Sequence, residues 1–283
     1  MKSDNKINTI LIKNSFNAIF FKIALFLLRD YYMNLNGFSL HRDFKFQEPL
    51  IFIIFTCRKV KSSCKLYRLV TTADGSHTIY VPHLDEHYHS VHGAVQESEH
   101  IFIRNGYYTC KADPLHIFEA GFGTGLNALL TALRCFRDKR DVYYTAIEKY
   151  PLPGKIVRLL NYHEFTGAEG RRIFSLIHAS GWNTVSDISG WFHLLKVKGD
   201  LVKDTPEGSY DLIYFDAFGP DKQPEMWTRQ IFEKISRITA ENGILITYSV
   251  KGQVKRDMRA CGFDISLLAG PPGKRHILRA VKK

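Results

Sequence analysis

The stretch that decides the fold reads Phe118-Glu119-Ala120-Gly121-Phe122-Gly123-Thr124-Gly125-Leu126-Asn127. An apolar run begins at Leu115 and a helical pattern extends to Phe136, so the stretch predicts a strand, a tight turn and a helix. Glycine has no Cβ atom, so the turn can approach a ligand closely, and the N–H groups that begin the helix face that ligand. The spacing is Gly-x-Gly-x-Gly, not the Gly-x-Gly-x-x-Gly of dinucleotide sites, and the carboxylate of Glu119 would repel a pyrophosphate. An ordinary strand-to-helix turn is the alternative for this stretch alone.

Strand-like and helix-like runs alternate from Pro114 to the end of the chain, which predicts a parallel sheet with helices on both faces. The last two strand-like runs, Phe263–Leu268 and His276–Val281, are separated by a link too short for a crossover helix, so the final strand should be antiparallel. Upstream, Tyr67–Thr72 and His77–Val81 flank a turn sequence and predict a β-hairpin. The predicted fold class is α/β, and it resembles the Rossmann-like sheet of class I S-adenosylmethionine-dependent methyltransferases.

Residues 1–65 differ in composition from the rest and predict an atypical N-terminal extension before a methyltransferase domain over residues 66–283. The apolar runs Phe16–Leu28 and Leu50–Cys57 are shorter than the roughly 20 residues of a spanning helix. No signal-peptide cleavage site follows the first run, so no membrane association is predicted. A helix packed on the main domain, a poorly ordered extension and a later translation start at Met33 all remain open.

Composition excludes more than it assigns. With 45% hydrophobic and 24% charged residues, the chain is neither collagen-like, wholly disordered nor a polytopic membrane protein. Its net charge of +11 invites a nucleic-acid partner, but residues 1–66 hold 11 of the 39 Lys and Arg and 4 of the 28 Asp and Glu, which leaves only +4 for the rest. Five cysteines without a Cys-x-x-Cys pair fit a reducing, cytoplasmic setting.

Three acids are predicted at the carboxyl ends of successive strands, the edge where open α/β sheets bind ligands. Glu148 could accept both hydrogen bonds of a ribose diol, and Asp200 a bond from the adenine amino group. Because the glycine turn resembles the nucleoside-binding loop of S-adenosylmethionine enzymes, Glu119 could hold the ammonium group of that cofactor. Glu148 and Asp200 could instead be solvated residues at strand ends. The predicted cofactor-binding set is Glu119, Gly121, Gly123, Thr124, Gly125, Asn127, Glu148 and Asp200.

A second stretch makes the resemblance specific. It reads Tyr210-Asp211-Leu212-Ile213-Tyr214-Phe215-Asp216-Ala217-Phe218-Gly219-Pro220, and Pro224-Glu225-Met226-Trp227 and Gly273-Lys274-Arg275 follow. From about Leu66 onward the chain resembles the methyltransferases of the MnmC/MnmD family, which methylate 5-aminomethyl-2-thiouridine at the tRNA wobble position. The family motifs Glu-x-Gly-Phe-Gly-Thr-Gly-Leu-Asn, Asp-x-Phe-x-Pro and Pro-x-Met-Trp are matched by Glu119–Asn127, Asp216–Pro220 and Pro224–Trp227. Glu148–Leu152 matches the acidic strand end before a proline, and Ala217 replaces a frequent glycine.

The resemblance implies S-adenosylmethionine as cofactor, tRNA as partner and Asp216 as the catalytic residue that accepts a proton from the amine. In the simpler alternative, Asp216 merely caps its loop. The resemblance also implies substrate contacts at Tyr88, Ser90 and Glu97. Phe218, Pro220 and Trp227 could wall a pocket for an extruded base, although Trp227 could equally belong to the core, and Lys274 and Arg275 could contact tRNA phosphates. No flavin domain follows before Lys283, so the oxidative step of bifunctional members is expected to be absent and a separate enzyme to supply the aminomethyl group.

Other features and functions stay open as alternatives. The histidines at 83, 87, 89 and 92 lack an established zinc spacing, so no metal is predicted. The basic residues between Lys251 and Arg259 could contact tRNA phosphates or form a solvated helix face. The alternative functions are methyl transfer to a small-molecule or protein amine, and a non-catalytic tRNA-binding module.

Overall fold

The computed structural model describes residues 67–283, and the predictions for residues 1–65 lie outside the described residues. The central sheet has eight strands: β4 (Leu115–Ala120), β5 (Val142–Glu148), β6 (Val185–Asp187), β7 (Phe192–Lys198), β8 (Tyr210–Phe215), β9 (Thr239–Thr247), β10 (Phe263–Ala269) and β11 (His276–Lys282). Their order across the sheet is β10-β11-β9-β8-β4-β5-β7-β6.

The central strands pair in parallel and the outer strands in antiparallel fashion. β4 pairs in parallel with β5 and β8, β5 with β7, and β8 with β9. β11 pairs antiparallel with both β9 and β10, which confirms the predicted antiparallel final strand. Because parallel strands end at one edge, the loops after β4, β5, β7 and β8 converge there.

Helices cover both faces of this sheet. They are α1 (Ala94–Ser98), which continues as a π-helix over Glu99–Tyr107, α2 (Leu126–Asp138), α3 (Gly154–Val157), α4 (Tyr162–Ala179, interrupted at Gly167), α5 (Arg229–Ile238) and α6 (Gly252–Ala260), with a 3-10 turn at Pro224–Trp227. Residues of α1, the π-helix, α2 and α4 share one hydrophobic core with the sheet, whereas those of α5 and α6 belong to the core on the other face. The sheet is thus packed between two hydrophobic cores, which hold the ends of its strands in place.

A small antiparallel sheet stands before the main sheet. It contains β1 (Arg68–Thr71), β2 (His77–Val81) and β3 (Glu86–His87), so the predicted hairpin is present with one strand added. The turn acid Asp74 accepts hydrogen bonds from the Ser76 N–H at 2.9 Å and, through its other oxygen, from the Gln96 N–H at 3.0 Å. These bonds hold α1 against the hairpin, and thereby place the segment between them over the edge of the main sheet.

Candidate active site

A cavity of about 620 Å³ opens at the carboxyl ends of β4, β5, β7 and β8. Its wall includes the predicted residues Tyr88, Ser90, Glu97, Gly121, Gly123, Glu148, Asp200, Asp216, Phe218 and Lys274. Residues as far apart in sequence as Tyr88 and Lys274 therefore meet at one place. The remaining predicted residues do not line the cavity: Glu119, Thr124, Gly125, Asn127, Pro220, Trp227 and Arg275.

Two glycines of the turn after β4 form part of the cavity wall. Gly121 has a φ of +96°, and a Cβ atom there would lie 2.9 Å from the backbone oxygen of Asp216. Gly123 has a φ of +51°, and its Cβ atom would lie 3.0 Å from the ring of Tyr88. A side chain at either position would be strained and would clash with a neighbouring wall residue, so both positions require glycine.

The acid that ends β5 is tied to the glycine turn. Glu148 Oε2 accepts a hydrogen bond from the Gly123 N–H at 3.0 Å, and its Oε1 accepts one from the Tyr150 N–H at 2.7 Å. Each carboxylate oxygen has further lone pairs, so Glu148 can still accept hydrogen bonds from a ligand in the cavity. Glu148 therefore lies at the end of β5 beside the glycine turn, as the sequence predicted.

The loop after β7 brings Asp200 to the same cavity. Its Oδ2 pairs with the Lys149 ammonium at 2.9 Å, and its Oδ1 accepts the Val202 N–H at 3.1 Å. Lys234 of α5 fixes the loop from behind by donating from Nζ to backbone oxygens at 3.0, 2.9 and 2.7 Å; these belong to Leu201, Val202 and Asp204. The carboxylate is thus held at the wall by partners that the sequence alone did not indicate.

Asp216 lies after β8, on the side of the cavity opposite Asp200. Its Oδ2 accepts a hydrogen bond from Asn127 Nδ2 at 2.8 Å. Burial raises the pKa of Asp216 to about 7; the Asn127 bond opposes this shift, the Glu97 carboxylate adds to it, and the Lys274 ammonium opposes it. A carboxyl group with a pKa near neutrality can accept and release protons at working pH.

Glu97 and Lys274 form an ion pair next to Asp216. Lys274 Nζ lies 2.9 Å from Glu97 Oε1, and Glu97 Oε2 accepts the Ser90 N–H at 2.8 Å. The final loop of the chain is thereby joined to α1 across the cavity mouth. The predicted residues Ser90, Glu97 and Lys274 are brought together, whereas Arg275 lies outside the wall.

Aromatic rings form the outer wall. The rings of Tyr88 and Phe218 lie 4.9 Å apart between centroids at 66°, and the Tyr248 hydroxyl donates to the Ala217 oxygen at 2.7 Å. Tyr248 was not among the predicted residues, although it directly follows the last residue of β9 and the strand-end rule could have found it.

The predicted pocket wall at Trp227 is instead part of the hydrophobic core. Its side chain is 4% exposed, and Nε1 donates to the Phe218 oxygen at 2.7 Å. The large indole packs among the apolar residues under the sheet, so it supports the loop that carries Phe218 rather than facing the cavity. Pro220, in the same loop, also lies outside the wall.

Three residues that were not predicted as cofactor contacts hold the glycine turn in place. His89 Nε2 lies 2.7 Å from the Thr124 hydroxyl, and His178 Nε2 donates to the Thr124 oxygen at 3.1 Å. Lys196 is buried, and its Nζ donates to the Ile177 oxygen at 2.7 Å and lies 5.6 Å from the Phe122 ring centroid. Thr124 therefore holds the turn in place instead of lining the cavity. Within residues 67–283, no group of three or more His, Cys, Asp or Glu is arranged to hold a metal ion.

The burial of Lys196 gives a testable dependence of stability on pH. Burial lowers the pKa of Lys196 to about 8, whereas an unfolded lysine titrates near about 10.4. Between these values the unfolded chain binds more protons, so the stability of the folded chain rises with pH. Lys196→Met removes this titration, and we expect the unfolding free energy of the wild type relative to the variant to rise by about 1–2 kcal/mol between about pH 7.5 and about pH 9.5. Urea unfolding of both proteins measures it, and a constant or falling difference would contradict it.

The chain is similar in sequence to known methyltransferases. Residues 191–283 match a family model described as S-adenosyl-L-methionine-dependent methyltransferase. The bifunctional protein MnmC of tRNA 5-methylaminomethyl-2-thiouridine biosynthesis from Methylobacillus flagellatus is 28% identical over 213 residues, which cover 70% of this chain and 33% of that protein. Its counterpart from Paraburkholderia phymatum is 27% identical over 216 residues, with 71% and 33% covered. This chain thus spans about a third of the length of these relatives.

A solved structure shows the same fold. MnmC2 from Aquifex aeolicus superposes with a TM-score of 0.66 at 22% identity, covering 92% of this chain and 83% of that one. This likeness and the strand order confirm the predicted α/β fold class. Over the described range, residues 67–283, there is no helix whose length and apolar character would let it cross a membrane.

Proposed function

Since this chain carries an S-adenosylmethionine-dependent methyltransferase domain of the MnmC/MnmD type, we propose that it methylates the aminomethyl nitrogen of 5-aminomethyl-2-thiouridine at the tRNA wobble position. The observation that carries the proposal is the position of Asp216, a proton acceptor with a pKa near neutrality that lies beside the glycine turn. The relatives, named for tRNA 5-methylaminomethyl-2-thiouridine biosynthesis, support the choice of acceptor. A tRNA substrate would place the reaction in the cytoplasm.

The residues around the cavity fit S-adenosylmethionine. Gly121 and Gly123 line the cavity without a side chain, so a ligand can approach the backbone of the turn closely. Glu148 would hold the ribose hydroxyls and Asp200 the adenine amino group. When bound, S-adenosylmethionine supplies a methyl group on a positively charged sulfur, which is a good leaving group.

The residues of the protein would have to deprotonate and orient the amine. A primary alkyl amine is largely protonated near neutral pH, and only its neutral form has a lone pair for attack. Asp216 would orient the ammonium group and accept its proton, with Oδ2 held in place by Asn127. The Glu97 carboxylate, paired with Lys274, adds negative potential on the same side of the cavity. Positioning of the amine would supply the remaining rate enhancement.

The aromatic wall is suited to the base that carries the amine. An extruded nucleotide is recognised by stacking on aromatic rings, and Tyr88, Phe218 and Tyr248 offer such surfaces at the cavity. Lys222 also lines the cavity, and it pairs with Asp85 at 3.1 Å. It could contact a phosphate of the anticodon loop. A separate activity that delivers the aminomethyl group to the uridine would have to act first.

The distribution of a labelled methyl group between tRNA and small amines tests which amine is the acceptor. The full chain is incubated with radiolabelled S-adenosylmethionine and a mixture of undermodified tRNA and small primary amines. We expect label in the tRNA and none in the small amines, and no label in tRNA that already carries the methylated nucleoside. Equal or preferential labelling of the small amines would replace the tRNA proposal by a small-molecule one. Failure to bind the cofactor in calorimetry would instead favour a non-catalytic module.

A further inference from the structure

The two backbone oxygens that follow Asp216 are both held by aromatic side chains. The Ala217 oxygen accepts a hydrogen bond from the Tyr248 hydroxyl at 2.7 Å, and the Phe218 oxygen accepts one from Trp227 Nε1 at 2.7 Å. Because the atoms of a peptide group move together as one plane, a held oxygen fixes the whole group. The conformation of the loop that begins at Asp216 therefore depends on these two donors.

The two donors differ in their surroundings. Trp227 is part of the hydrophobic core, so its replacement would disturb the packing as well as the loop. Tyr248 is half-buried, directly follows β9 and lines the cavity. Its hydroxyl can be removed with little change in the core, so the effect of this one hydrogen bond on Asp216 can be measured separately.

The ring of Tyr248 contacts the ion pair at the cavity mouth. Lys274 Nζ lies 5.3 Å from the centre of this ring, and the same ammonium group lies 2.9 Å from Glu97 Oε1. A cation within about 6 Å of a ring centre is attracted by the negative face of the ring. Tyr248 thus contacts the loop of Asp216 through its hydroxyl and the final loop of the chain through its ring.

The hydroxyl of Tyr248 remains a hydrogen-bond donor at working pH. Burial raises the pKa of Tyr248 well above its usual range, and the negative charges of Asp216, Glu86 and Glu97 raise it further. An ionised tyrosine could not donate to the Ala217 oxygen, so the raised pKa keeps this bond in place.

We propose that Tyr248 is a positioning residue for methyl transfer, whose hydroxyl fixes the loop that carries Asp216 and whose ring holds Lys274 at the cavity mouth. The hydroxyl affects the catalytic step, because a proton acceptor must lie within hydrogen-bond distance of the amine. The ring affects binding of the acceptor, because the pair of Lys274 and Glu97 joins the final loop to α1 across the mouth. The inference rests on the proposed function only in the role that it gives Asp216.

Two substitutions at Tyr248 separate the hydroxyl from the ring. Tyr248→Phe removes the hydroxyl alone, and we expect kcat with undermodified tRNA to fall about 10-fold while KM stays within about twofold. Tyr248→Leu also removes the ring, and we expect KM for tRNA to rise about fivefold in addition. Both variants should bind S-adenosylhomocysteine within about threefold of the wild type, because the glycine turn is untouched. Tyr143→Phe, an exposed change on β5, is the matched control.

Hydrogen exchange of the full chain supplies a measurement that needs no methyl acceptor. The Asp216 N–H donates to the Ala120 oxygen at 3.1 Å, so its exchange rate reports how often the start of this loop opens. We expect the Asp216 N–H to exchange at least about fivefold faster in Tyr248→Phe than in the wild type, and the amides of α2 to exchange at unchanged rates.

Two results would overturn the proposal. One is a wild-type kcat in Tyr248→Phe, which is the result expected of a tyrosine that only stabilises the fold. The other is an unchanged exchange rate of the Asp216 N–H in the same variant. The exchange experiment involves neither tRNA nor cofactor, so the proposed acceptor can fail while this inference stands.

Discussion

Replacing Asp216 by asparagine is expected to lower kcat/KM for methyl transfer by about 10³-fold, while cofactor affinity stays within about threefold of the wild type. Asparagine has the same shape but cannot accept the proton of an ammonium group, so the amine stays without its lone pair. The variant should remain folded, because removal of a partly buried negative charge relieves a desolvation penalty. Single-turnover rates and calorimetric titration with S-adenosylhomocysteine measure the two quantities separately.

The dependence of kcat/KM on pH provides a second test of the role of Asp216. Burial raises the pKa of Asp216 to about 7, so the carboxylate that accepts the proton is lost as the pH falls through about 7. We expect kcat/KM of the wild type to fall about tenfold per pH unit below that value, and the residual rate of Asp216→Asn to lack this inflection. Asp264→Asn, an exposed change on β10, is the matched control. Full methyl transfer by Asp216→Asn with normal cofactor binding would remove Asp216 from the mechanism.

Replacing Glu148 by alanine is expected to weaken cofactor binding by about 100-fold, which corresponds to about 2.7 kcal/mol. Two contributions add. The variant loses the charged acceptor for the ribose hydroxyls, and it releases the Gly123 N–H that Glu148 Oε2 holds at 3.0 Å. Methyl transfer at saturating cofactor should recover most of the wild-type rate, because Asp216 is untouched. Calorimetry gives the affinity and single-turnover kinetics the rate.

A cofactor analogue separates the two contributions of Glu148, the contact with the ribose and the bond to the glycine turn. S-adenosylhomocysteine without its ribose hydroxyls should bind the wild type weakly, and Glu148→Ala should weaken it little further. Glu241→Ala, an exposed change on β9, should bind both ligands as the wild type does. An analogue whose affinity falls as much as that of the parent ligand would mean that Glu148 acts only on the glycine turn. Unchanged affinity of Glu148→Ala for the parent ligand would contradict both contributions.

Hydrophobic periodicity and link lengths predicted the main strands and helices, but not the elements in which the periodicity is weak. The strand, glycine turn and helix around residues 115–138 and the antiparallel last strand occur as predicted, because periodicity and link length decide them locally. Over residues 154–179 glycines interrupt the apolar period, and the structure has the short α3 followed by α4, which is itself interrupted at Gly167. The edge strand Val185–Asp187 was missed because its residues are few and mostly solvated.

The residues of the candidate site also fall into two groups, those that the sequence placed and those that it did not. Glu148 and Asp200 follow directly from strand ends, so their sequence positions placed them at the cavity edge. The orientation of Asn127 and the clamps at His89 and Lys196 depend on contacts between residues far apart in sequence, for which no local period exists. Sequence reasoning therefore found the residues of the glycine turn but could not say which of them face the cavity and which face the core.

Mass spectrometry of the wobble nucleoside tests the proposed function most directly. Undermodified tRNA is incubated with the full chain and S-adenosylmethionine, then digested to nucleosides and to anticodon-loop fragments. We expect 5-aminomethyl-2-thiouridine to disappear and a nucleoside heavier by one CH₂ unit to replace it at the wobble position, with no change in reactions containing Asp216→Asn. A methyl group at any other position, or unchanged nucleosides in the presence of bound cofactor, would contradict the proposed reaction.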